Sequence, residues 1–266
     1  ETGGTESNIT VQSAKTRKAY FPNPQPDEFY SGNTTTDKYV GFTENYYAWT
    51  WGNALFVVLD PYWYTVKKPG KAVDNRAWTL GIEQYKWFKE TVEKSNAKFK
   101  FVFCHQIIGG KDTDGRGGAE FAKYFEMGGF NKDDTWGFDV KRRGWDKPIH
   151  ELMAHNNVTI FFHGHDHFFA KQELDGVIYQ LVPQPSHPNF KTAGQAQSYG
   201  YTTGDILPNS GYLRVTVCGY QVSVDYIRTR LPRDKNDHQE NGEIAYSYTI
   251  TSPKESLIDS KKRKAD

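Results

Sequence analysis

Cysteine is scarce in this chain: two thiols in 266 residues, with methionine equally rare. Cys104 and Cys218 cannot make a disulfide framework; they are two separate thiols or one bridge, and the sequence leaves both open. Net charge is also nearly absent, since 33 basic and 32 acidic residues leave +1. That balance argues against a general nucleic-acid or membrane-surface binder. No apolar run approaches the roughly 20 residues that a membrane-spanning helix needs. The longest runs, ALFVVL and VTIFF, are strand-sized. No internal repeat and no persuasive domain boundary interrupts the chain.

What the chain does have is aromatic mass: 7 Trp, 17 Tyr and 17 Phe. That is enough to build a core, so global disorder is excluded. Residues 1–38 are polar and rich in Thr, Asn, Gly and Pro, and read as an irregular N-terminal segment. The chain opens on Glu1 rather than methionine and shows no signal peptide, which reads as a processed product or a fragment. Residues 229–266 read as a polar tail with one possible strand at AYSYTI.

Order is expected between 39 and 228. YYAWTW alternates and ALFVVLD is continuously apolar, so WGN between them should turn a strand pair. In IEQYKWFKETVEK, Ile82, Tyr85, Phe88 and Val92 recur at helical spacing. KFKFVFCHQ reads as a strand ending in Cys104-His105. A Gly-rich, charged insert from 107 to 146 follows, with one helical candidate, AEFAKYFEM. Pro148 should open a short helix with Ile149, Leu152 and Met153 on one side. VTIFFH reads as a buried strand. FFAKQEL-DG-VIYQLV and YLRVTV-CG-YQVSVDYIR read as hairpins, the second pairing Leu213, Val215 and Val217 with Val222, Val224 and Tyr226. This order of elements predicts an α/β or α+β sheet protein with an antiparallel C-terminal part.

Three of the chain's 8 histidines lie within FFHGHDHF, at 163, 165 and 167. Neutral imidazole is a common ligand for borderline metals. Each histidine at the end of a buried strand needs a polar partner, which makes such a cluster a poor packing choice. His165 and His167 are therefore metal-ligand candidates, and His105, ending a different strand, could complete the set. His163 precedes the glycine and is expected to face the core. Asp166 is expected to be a carboxylate that supports the ligands or the structure rather than a ligand itself, or to pair with a lysine or arginine. His150, His155, His187 and His238 stand alone, the pattern of surface or internally bonded histidines.

GHDH (Gly164 to His167), with the apolar strand before it and the earlier strand ending in FVFCH, resembles the calcineurin-like metallophosphoesterases, purple acid phosphatases among them. YYAWTWGNALFVVLD and IEQYKWFKETV resemble the strand pair and helix of the same family. The resemblance covers about 39–228 and implies a four-layer α/β/β/α sandwich. It also implies two transition-metal ions bridged by water or hydroxide. By position, His105 and His165 would share one ion and His167 would hold the other. The ions would be Zn, Fe or Mn, which histidine and carboxylate ligands suit alike. The implied activity is hydrolysis of phosphate mono- or diesters by metal-activated hydroxide, with no catalytic side chain assigned. Arg116, between glycines in the insert, and His187, in PQPSHPNF, are candidate substrate contacts. Trp136 and Trp145 could line the mouth or pack down the insert.

Such a pair of ions also needs oxygen ligands. The family's Asp-x-His, Gly-Asp-x-x-Asp and Gly-Asn-His motifs are missing here. The chain thus resembles the C-terminal half of the domain, and its expected partner is the N-terminal half. That half could lie in the same precursor or in another chain; otherwise catalysis has been lost. A half sheet should expose apolar surface and strand edges. The rival reading is a non-catalytic binding or structural module on the same fold. The resemblance also suggests a periplasmic or extracellular location.

Overall fold

Strands buried on both faces need apolar side chains on both, and four stretches satisfy that here. They are β5 (Ala54–Val58), β6 (Phe99–Cys104), β7 (Ile160–His163) and β9 (Val177–Leu181), and they run parallel side by side. The computed structural model describes residues 5–71, 73–186, 192–232 and 240–252. Its other strands are β1 (Ser31–Gly32), β2 (Thr36–Asp37), β3 (Gly41–Phe42), β4 (Tyr47–Trp51), β8 (Phe169–Leu174) and β10 (Asp205–Leu207). The last three are β11 (Gly211–Cys218), β12 (Gln221–Arg228) and β13 (Ile244–Thr251). An eight-stranded mixed sheet has the order β1-β4-β5-β6-β7-β9-β8-β10, and β11-β12-β13 form a second, antiparallel sheet.

Parallel neighbours require crossovers; helices supply those from β5 to β6 and from β6 to β7, and β8 supplies the one from β7 to β9. The helices are α1 (Ile9–Tyr20), α2 (Gly81–Lys94), α3 (Phe125–Gly128), α4 (Phe138–Lys141), α5 (Ile149–His155) and α6 (Gln195–Ser198). α2 joins β5 to β6, and α5 lies between β6 and β7. Tyr85, Phe88 and Val92 of α2 and Leu152 and Met153 of α5 pack on Leu55, Val57, Val102 and Phe161. On the opposite face, Phe99, Phe101, Ile160 and Phe162 pack on Val222 and Val224 of the second sheet. The layers are thus helix, sheet, sheet, an α/β sandwich with antiparallel C-terminal hairpins.

The turns follow their residues. Asp175 and Gly176, at φ +48° and +78°, close the β8–β9 hairpin with two left-handed residues. Gly52, at φ +56°, and Asn53 close β4–β5. In the last hairpin Val215 faces Val224 and Val217 faces Val222, the pairing expected, but the turn is Gly219-Tyr220 rather than Cys218-Gly219. That register leaves Cys218 opposite Gln221 as the closing pair. Both cysteines are free, Cys104 buried and Cys218 exposed.

Two expectations are corrected. Residues 1–38 are not irregular throughout, because α1 occupies Ile9–Tyr20. Its apolar positions are too few to show a helical stripe, and only Val11 and Ala14 are buried. Polar contacts fix it instead: Asn8 caps its start, and Arg17 and Lys18 donate to the carbonyls of Thr43 and Val40. AEFAKYFEM is not one helix but a short 3-10 turn, Ala119–Phe121, and the single turn α3, with Phe125 at φ +54° breaking the run. The strand expected at AYSYTI is present as β13, which pairs with β12 in the second sheet.

Candidate functional site

β6 and β7 pair in register, Cys104 opposite His163. The chain leaves both strands at one edge of the sheet, where ligands gather in open α/β folds. The Gly164 N–H donates to the His105 carbonyl at 2.8 Å, so the two exits are tied together. The bend after β7 falls on His165, whose φ is +73°. Histidine is among the non-glycine residues that occupy this region. The turn brings His165 Nδ1 to 3.1 Å from His105 Nε2. Burial, then the neighbouring His165 and His167, hold the His105 pKa below its ordinary value. A neutral ring leaves a nitrogen lone pair for a ligand.

The two rings open on a cleft of about 250 Å³ lined also by Arg116, His167, Gln195 and Tyr199. His167 is exposed there, and its carbonyl accepts from Gln195 Nε2 and from Asn209 Nδ2. Arg116 reaches the cleft with its guanidinium 3.1 Å from Asp112 and 2.9 Å from Asp114. The same group lies 4.9 Å over the Tyr199 ring. These contacts hold the cation in place, while the two acids offset part of its field.

Asp166 turns away from the cleft. Its Oδ2 accepts from the Gly117 N–H at 2.9 Å and from the Tyr201 hydroxyl at 2.8 Å. The histidine turn is thereby joined to the Arg116 loop and to the segment that carries Tyr199. Glu120 ties the last two together, accepting from the backbone N–H groups of Thr202 and Thr203. Burial raises the Asp166 pKa against these donors. His163 is buried on the helix side of the sheet, stacked near Phe161, and burial drives its pKa down to about 3. His150 bonds the Tyr179 hydroxyl and Asp175, away from the cleft. Trp145 stacks on Tyr85, and Trp136 packs on Phe130 and Phe138. His187 and His238 lie outside the described residues.

Gln195, Tyr199 and Tyr201 carry no sequence signal that links them to the histidines. Tyr201 and Asp166 are 35 residues apart with an irregular segment between. The one cue is that this segment follows the hairpin beginning at the histidine turn.

No protein-family model matches the chain, and no curated protein sequence does. Solved structures do. PhoD superposes with a TM-score of 0.57 at 16% identity, over 94% of this chain and 49% of PhoD. This chain and PhoD share a fold. Purple acid phosphatase PPD1 from yellow lupin seeds gives a TM-score of 0.42 at 13% identity, over 81% of this chain and 34% of that one. GAP50, the anchor in the inner membrane complex of Plasmodium, gives 0.44 at 12% identity, over 75% and 49%. The chain therefore spans about half the length of PhoD or less of these structures.

The residues present fit only part of a metal centre. His105 and His165 converge, and their ring chemistry suits a transition metal. Among the described residues, no group of three or more His, Cys, Asp or Glu side chains is placed to hold an ion. The nearby carboxylates are partly or wholly engaged elsewhere, with Asp166 Oδ1 left without a hydrogen-bond partner among the described residues. Asp166 bonds Gly117 and Tyr201, and Asp60 accepts from Asn45 and from the Tyr62 N–H. This donor set provides nitrogen ligands and leaves the oxygen ligands of a dinuclear centre unfilled.

Proposed function

We propose that this chain supplies the histidine side of a metal-dependent phosphoester hydrolase, acting on phosphate mono- or diesters. The observation that carries the reading is the meeting of His105 and His165 at 3.1 Å, at the mouth of a cleft that also holds Arg116. His105 and His165 would share one ion and His167 would bind the second, with Zn, Fe or Mn all suited to the site. Bound ions would supply a hydroxide at neutral pH and neutralise charge on the phosphate. The chain's own groups do the rest. Arg116 offers N–H donors to phosphate oxygens, and Asp112 and Asp114 fix its direction. Tyr199 and Gln195 also line the cleft.

The oxygen ligands would come from a complementary polypeptide: the N-terminal half of the domain, in the same precursor or in another chain. This fits a chain that aligns with 49% of PhoD. Residues 39–228 would be the C-terminal half of the hydrolase domain. No described helix is long and apolar enough to cross a membrane. A periplasmic or extracellular setting belongs to the same reading and rests on the resemblance alone.

The incomplete donor set favours a second reading, a non-catalytic module on this fold. Elemental mass spectrometry and assays with aryl phosphate mono- and diesters on the protein co-expressed with its complement separate the two. The hydrolase should carry about two ions. Replacement of His165 by alanine should then remove metal and lower turnover at least about a hundred-fold. A metal-free, inactive assembly, unchanged by His165→Ala, overturns the hydrolase.

A further inference from the structure

A second hollow opens on the helix side of the sheet and shares no lining residue with the histidine cleft. It measures about 410 Å³ against about 250 Å³ for the cleft, within the range of small-molecule sites. Tyr64, Ile82 and Trp145 give it an apolar wall, and Lys67, Arg76 and Arg142 bring it three cations. No acidic side chain is among the described residues that line it. The wall is firm: Ile82 and Trp145 pack against the core under α2, and Trp145 stacks on Tyr85 with ring centroids 3.9 Å apart.

Like charges gather in one hollow only where something holds them. Arg142 is held from behind: its Nε donates at 2.7 Å to Glu126, whose side chain is 0% exposed. The other Glu126 oxygen accepts from the Leu80 N–H at 2.7 Å, at the head of α2. Arg142 also donates to the carbonyls of Lys141 and Arg76. A guanidinium has five N–H donors, so two of those on Arg142 make no hydrogen bond among the described residues. Arg76 donates to Asp74 and to Asn131 and keeps donors to spare. Lys67 is exposed and has no ion-pair partner among the described residues. Three cations thus stand against two acids, Asp74 and Glu126, and the excess positive charge suits a ligand with one negative charge.

Both rims of this pocket run on to the groups that hold Arg116. One rim is Val66-Lys67, and the next residue, Lys68, pairs with Asp114 at 2.5 Å. The other is Arg76-Ala77, in the 3-10 turn Asn75–Ala77. Asn75 is buried and donates from Nδ2 to the Gly109 carbonyl at 2.8 Å and the Asp112 carbonyl at 2.6 Å. Asp112 and Asp114 are the two acids paired with Arg116 at the histidine cleft. We propose that the pocket is an effector site for a small organic monoanion with an aromatic body, and that filling it moves Arg116 through Lys68 and Asn75. An aryl carboxylate has the required chemistry. Its ring packs on Trp145 and Ile82, and its oxygens accept from Arg142 and Arg76 beside the Lys67 charge. A cation of the same shape would meet three like charges. The site stands apart from the hydrolase reading; its meaning as regulation of turnover rests on that reading.

The test is an NMR titration of the full chain with phenylacetate, and with 2-phenylethylamine as the cation of the same body. The resonances followed are the Trp145 indole N–H and the N–H groups of Arg116. Phenylacetate should shift both along one saturation curve, and 2-phenylethylamine should shift neither. Lys67→Glu alters an exposed side chain without an ion-pair partner, so the fold is kept, and it should weaken both curves at least about ten-fold. A Trp145 resonance that does not saturate overturns the site, as does a curve indifferent to Lys67→Glu or an equal response to the amine. An Arg116 shift that survives Lys67→Glu while the Trp145 shift is lost means that the anion binds in the histidine cleft itself, and overturns the coupling. So does a Trp145 curve with Arg116 unmoved. No readout uses metal or turnover, so an inactive protein with both shifts would sink only the hydrolase, and an active one without them only this site.

Discussion

The two faces of the large sheet are made of the same kinds of residue and have opposite fates. On the helix face, Phe88, Val92, Phe161 and Tyr179 have no measurable exposure. On the other side, equally apolar side chains end in water at Trp51 of β4 and at Val215 and Val217 of β11 in the second sheet. Composition does not separate them; covering does. Single exposed hydrophobics are ordinary on any protein, and only their grouping on one side sets this side apart. The closed face excludes water from its side chains, and among the described residues the open face does not.

The sharpest way to break that contrast is to cut one side chain from each face. Phe88→Ala leaves a hole under α2 and should cost about 3–5 kcal/mol of stability, read as a lower denaturation midpoint. Trp51→Ser should change the stability of the chain alone by no more than about 0.5 kcal/mol. If Trp51→Ser destabilises the isolated chain as Phe88→Ala does, the open face is already covered and the contrast falls. Tyr201→Phe is a smaller probe, placed where the two faces meet at the site. It removes one of the two donors to Asp166 Oδ2 and should cost about 1–3 kcal/mol. Turnover of the assembly should fall with it, since the histidine turn and the Arg116 loop lose a shared tie. Unchanged turnover would mean that Gly117 alone sets the turn.

The closed face was the more legible of the two in sequence. Continuous apolar runs announced β5, β6 and β7, and helical spacing announced α2, because burial on both sides or on one stripe leaves a local periodic trace. Strand ends likewise announced His105 and His165, since a strand that ends in chemistry places it at the edge of the sheet. What joins distant segments left no such trace. The Asp166–Tyr201 bond spans an irregular loop, and α1 is held by Arg17 and Lys18 on backbone carbonyls rather than by an apolar stripe. The AEFAKYFEM stretch has helical residues but is broken at Phe125 by the need to fold the insert back on itself. Openness of a face is not periodic either, because Trp49 and Trp51 alternate as they would on a buried strand.

The smallest effect expected concerns a charge inside the closed face. Lys100, on β6, is 7% exposed and donates from Nζ to the Val92 carbonyl at the end of α2. Burial lowers its pKa from the usual lysine value. Between that lowered value and the ordinary 10.5, the unfolded chain binds a proton that the folded chain does not. Stability from this group therefore rises with pH across that interval. Lys100→Met lacks the proton, so the melting temperature of the wild type relative to the variant should climb as pH is raised from 7 toward 10. The change should be on the order of 1 °C. The direction matters more than the size. A constant difference would mean that Lys100 is hydrated and that water reaches the helix side of the sheet, which would make the two faces less different than their burial indicates.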